Sequence, residues 1–96
     1  MHVNLGRSAQ REAFGAATWY EEKENGLGER FLHALKAALN RIGTNPEIYR
    51  CFKGDLRKCR FDVFPYLLIF RIQDDKIDVV AVMHTSRKPG YWEDLS

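Results

Sequence analysis

Apolar residues recur at helical spacing as far as Asn45-Pro46 and at strand spacing from about Arg57 onward. In the first half, Ala9, Ala13, Ala16, Ala17 and Tyr20 form one stripe, and Phe31, Leu32, Leu35, Leu39 and Ile42 form a second. Asn25-Gly26 can adopt the left-handed turn that ends the first helix. Ser8 reads as its N-cap, and Val3 and Leu5 ahead of Gly6 as a short edge strand. So short a connection makes the helices antiparallel, a helical hairpin whose two stripes must face a common core.

In the second half, Cys59, Phe61 and Val63 alternate with Lys58, Arg60 and Asp62, which predicts a strand with one buried and one wet face. Phe64-Pro65 breaks that ladder because proline cannot donate, so a bulge or tight turn is expected there. Tyr66 to Ile72 then reads as a central strand, Gln73 to Lys76 as a hairpin turn, and Ile77 to His84 as the last strand. The order β-α-α-β-β-β predicts an α+β fold, with the helical hairpin packed on a small, mostly antiparallel sheet.

At 96 residues the chain is expected to be a single domain, 1–96, with room for one modest core. Its 45% hydrophobic and 29% charged residues are those of a globular protein. No apolar stretch is long enough to span a bilayer and the N-terminus lacks the apolar region of a signal peptide, so a cytoplasmic location and no membrane partner are expected. Without a secretory route, Cys51 and Cys59 are expected to be free, buried thiols. His2, His33 and His84 are scattered through different elements, so no metal site is expected.

The formal net charge is only +2, yet its distribution is uneven. Acids gather at Glu21, Glu22, Glu24 and Glu29, and bases at Lys53, Arg57, Lys58 and Arg60, with Arg71, Arg87 and Lys88 further along. The strand half should therefore present the more positive surface, suited to an anionic partner or simply to solvent. His84, Arg87, Lys88, Tyr91 and Trp92 cluster where the last strand ends, a place where reactive groups and aromatics suggest a site.

Three features occur together: a helical segment ending in asparagine-proline, the strand start Phe64-Pro65-Tyr66, and the tail spaced as His84, Arg87, Pro89 and Trp92. With them the chain resembles the RelE/ParE superfamily of toxins from bacterial type II toxin–antitoxin modules, particularly the ParE-type, plasmid-stabilisation branch. The resemblance covers nearly the whole chain. It implies a toxin neutralised by a cognate antitoxin whose C-terminal segment wraps around it, with DNA met only indirectly through the antitoxin and no cofactor.

Two mechanisms share that fold. ParE-like members bind DNA gyrase without doing chemistry, whereas RelE-like members cut messenger RNA on the ribosome by activating a ribose 2′-hydroxyl. The second route needs a proton acceptor, cations around the phosphate and a proton donor, and no metal. The resemblance places phosphate-binding cations at Lys58, Arg60 and Arg87, with Arg71 and Lys88 as further phosphate- or target-binding candidates. His84, Arg87 and Tyr91 are the candidate catalytic residues of that route. One strand arginine of the ribonucleases falls on Leu67, which favours gyrase as the target. A member that only binds a partner, without toxicity, is the third alternative.

Overall fold

A computed structural model describes residues 1–86. Within it run β1 (His2–Leu5), α1 (Arg7–Lys23), α2 (Leu27–Thr44), a 3-10 turn (Pro46–Ile48), β2 (Cys51–Lys53), β3 (Leu56–Arg60), β4 (Tyr66–Gln73) and β5 (Lys76–His84). The strands form one sheet in the order β1-β5-β4-β3-β2. Only the β1–β5 pair is parallel. The expected α+β architecture is therefore present, with one strand more than the sequence pattern suggested. The addition, β2, is three residues long and wholly exposed, so it has no hydrophobic alternation by which it could be recognised.

The two helices pack one face onto the sheet. Ala9, Ala13, Ala16 and Ala17 of α1 and Phe31, Leu35, Ala38 and Ile42 of α2 are buried, each set at helical spacing. Small residues on α1 let the helices approach closely: a Cβ added at Gly28 would lie 2.5 Å from the Ala17 carbonyl oxygen. Gly26 takes the left-handed conformation (φ 89°) at the start of α2. The Glu21 carboxylate accepts hydrogen bonds from the Gly26 and Gly28 N–H groups, each at 3.0 Å. That places an anion where the α2 dipole is positive. Helix α1 starts one residue before the expected cap, with Gly6 rather than Ser8 in the capping position.

Aromatic side chains fill the centre of this layer. The Phe31 ring lies 5.3 Å from Phe61, 5.2 Å from Phe64 and 5.0 Å from Tyr66, and Tyr20 closes the cluster at 4.9 Å from Phe64. Such edge and offset contacts contribute about 0.5–1.5 kcal/mol per pair beyond the area they bury.

The expected alternation fails after Arg60. Phe61 is buried, but β3 has already ended, and Val63 is 89% exposed with φ 68°, not in the core as expected. Two tight turns follow each other here: Phe64 N–H donates to the Asp62 carbonyl (2.7 Å) and Tyr66 N–H to the Phe64 carbonyl (2.8 Å). Arg41 of α2 holds this corner in place, donating to the Asp62 carboxylate at 3.0 Å and the Arg60 carbonyl at 2.8 Å. Cys59 is buried as expected. Cys51, expected to be buried, is exposed on the edge strand, and both are free thiols. Among the described residues no helix is long and apolar enough to cross a membrane.

Candidate functional site

The two faces of the sheet follow from its register. Cross-strand partners share a face and successive residues alternate. Lys58 pairs with Ile69 and Arg60 with Leu67, while Cys59 pairs with Leu68 and Leu68 with Val82. Cys59, Leu68 and Val82 belong to the core under the helices; Leu56, Ile69, Ala81 and Met83 form a smaller cluster on the opposite side. Lys58 and Arg60 therefore project from the face away from the helices. Arg71, two residues beyond Ile69, shares that face.

His84 lies on the other one. A register shift in the β4–β5 ladder pairs Ile69 with Ala81 but Phe70 with Val79, which leaves Val80 without a partner. This bulge resets the alternation, so that Val79 and Val82 both face the helices. His84 pairs with Tyr66 and stands edge-on to its ring at 5.2 Å. Its Nδ1 accepts from the Ser86 N–H at 3.0 Å, with the Ser86 hydroxyl at 2.8 Å, so the neutral ring carries its proton on Nε2.

Around His84 opens a groove of about 730 Å³ between α1 and the end of the sheet, lined by Glu12, Ala16, Trp19, Tyr20, Tyr66 and Val82 among others. It exists because β1 leaves early. The β1 register ends at Leu5 opposite Val79, and the chain turns at Gly6, whose N–H donates to the Val79 carbonyl at 3.0 Å. A Cβ on Gly6 would meet that oxygen at 2.9 Å, so only glycine makes this turn without displacement. Past Val79, β5 has no strand on its outer side among the described residues, and Glu12 of α1 accepts the Val82 N–H at 3.0 Å instead. Trp19 stays 54% exposed at the rim, and Tyr20 bridges groove and core, burial pushing its phenol above the usual range.

The candidate residues thus fall into two groups. Lys58 sits over the Phe52 ring at 5.4 Å, and Arg60 is exposed; neither has a carboxylate partner among the described residues. Arg71 Nε lies 3.9 Å from Asp55, and its strand neighbour is Asp78. Arg57 is engaged locally, donating to the Tyr49 carbonyl at 2.6 Å. Arg87, Lys88 and Tyr91, together with Trp92, lie outside the described residues. Glu12 went unrecognised in the sequence, because a lone glutamate on a helix has no pattern that reveals an acceptor for a distant strand. No group of residues able to hold a metal ion occurs among those described.

The sequence profile described as the ParE toxin of the type II toxin-antitoxin system, parDE, matches residues 3–89. No curated protein matches the sequence. Among solved structures, a chain of the chromosomal ParDE toxin–antitoxin system from P. aeruginosa has a similar fold, with a TM-score of 0.65 at 13% identity. The alignment covers 88% of this chain and 95% of that one.

Proposed function

Because the chain belongs to the ParE toxin family of type II toxin–antitoxin systems, we propose that it arrests growth by binding DNA gyrase and is neutralised by a cognate antitoxin seated in the groove beside α1. The observation that carries the choice of binding over catalysis is the split of the described candidate residues between two faces. Metal-free cleavage of RNA needs a proton-transferring group and phosphate-holding cations around one phosphate. His84 projects on the helix side of the sheet and Lys58 and Arg60 on the other, and Leu67 stands across from Arg60 where the ribonuclease reading requires an arginine. A binding surface has no such requirement for convergence.

The groove supports the antitoxin part of the reading. Its lining is largely aromatic and aliphatic, and the adjoining β5 edge offers backbone groups that no strand among the described residues covers, a combination suited to a segment that folds on binding. The test is to induce the chain without its antitoxin and assay purified gyrase supercoiling and messenger integrity on translating ribosomes side by side. Lost supercoiling with intact messenger is expected. Messenger cleavage that disappears in Arg87→Ala would establish the ribonuclease instead, and neither effect would leave a non-toxic binder. Trp19→Glu is expected to weaken antitoxin capture while leaving the fold intact.

A further inference from the structure

We propose that the face of the sheet away from the helices contacts the phosphate backbone of duplex DNA directly, through Lys58 and Arg60 with Lys53 beside them. Residues 50–60 hold five cations (Arg50, Lys53, Arg57, Lys58, Arg60) against one acid, Asp55. Within that stretch Asp55 is drawn towards Arg71, at 3.9 Å, and Asp62 just beyond it is taken by Arg41 at 3.0 Å. The acids nearest to them in the sequence are thus already engaged, and Lys58 and Arg60 have no carboxylate partner among the described residues.

Geometry adds to charge. Lys58 and Arg60 are residues i and i+2 of one strand, so they leave the same face about 7 Å apart. That interval is comparable to the separation of successive phosphates along a nucleic-acid strand. Lys53 joins the same face, since its cross-strand partner is Leu56 of the cluster there. The mounting is rigid at the Arg60 end, where Arg41 holds the backbone carbonyl. Among the described residues Phe52 lies close by, with the Lys58 ammonium over its ring at 5.4 Å. A ring covered in that way is a poor stacking platform for an unpaired base, which favours phosphate contact on a duplex over capture of a single strand.

The inference rests on the gyrase reading only in naming the setting: a toxin acting on gyrase would meet the DNA that the enzyme holds, and this face would grip it. Phosphate contacts of this kind confer no sequence preference and depend steeply on salt, each neutralised phosphate adding about 0.9 to the slope of log affinity against log salt.

The experiment uses the full-length chain and a short, mixed-sequence, fluorescein-labelled duplex, followed by anisotropy across a salt series. Wild type is expected to bind at low salt. Lys58→Ala/Arg60→Ala should bind at least tenfold more weakly with the log–log slope reduced by about 1.8, its circular dichroism and antitoxin binding unchanged. A slope unaltered by the double variant would overturn the proposal. So would tighter binding to the matching single strand that Phe52→Ala abolishes, since that result assigns the face to base stacking. Gyrase inhibition without duplex binding would sink this inference and leave the gyrase reading standing; duplex binding without gyrase inhibition would do the reverse.

Discussion

On the helix side of the sheet, Phe31, Phe61, Phe64 and Tyr66 interlock with ring centroids 5.0–6.0 Å apart, whereas on the other side Leu56, Ile69, Ala81 and Met83 form a small cluster beside Lys58 and Arg60. The first face holds the molecule together and opens into a groove at one end. The second is a charged surface set on a thin apolar layer. Stability should therefore be concentrated on one side, leaving the other free to carry charges that add little to the fold.

Phe31→Ala tests that contrast with the largest expected effect. It removes the ring on which four aromatics converge and should cost about 3–5 kcal/mol in equilibrium denaturation. A loss below about 1 kcal/mol would mean that the helix face is not the dominant core. Next comes Glu12→Ala, which strips the Val82 N–H of its acceptor at the groove and should cost about 1–3 kcal/mol. Glu12→Gln keeps an acceptor oxygen and should recover most of that stability.

Val63→Gly should act in the opposite direction. A β-branched residue at φ 68° is strained and, at 89% exposure, loses almost no burial on truncation. Relief of that strain, less the added freedom of glycine in the unfolded chain, should stabilise by up to about 1 kcal/mol. Destabilisation in a thermal melt would show that the side chain makes a contact of value. On the charged face, Lys58→Ala/Arg60→Ala should change stability by no more than about 0.5 kcal/mol while altering affinity for an anionic partner. A larger loss would erase the distinction between the faces.

The smallest effect at neutral pH comes from the tyrosines. Burial raises the phenol of Tyr20; at Tyr49 burial and the neighbouring Cys59 raise it while Arg41 opposes them. A folded-state pKa above the unfolded value of about 10 means that the stabilisation is fully present below that value and fades as pH rises through the folded one. Denaturation midpoints should hold level through neutrality and decline in the alkaline range, with a shallower decline in Tyr20→Phe.

Much of this could be read in the sequence, because periodicity reports directly on which residues face a core. The stripes Ala9, Ala13, Ala16, Ala17 and Phe31, Leu35, Ile42 dictated the helical hairpin, and Phe64-Pro65 dictated the break before β4. The family was legible too, in the combined helix ending, strand start and tail. Hidden from it were β2, which is exposed on every residue, and the outward turn of Val63, which the preceding alternation placed in the core. The candidate site turned on Val80. Strict alternation from Ile77 would have carried His84 to the side of Lys58 and Arg60, and the bulge carries it to the helix side instead. Local preferences decide whether a segment is strand. Which face each residue takes depends on the register it finds against a strand that the sequence alone does not align.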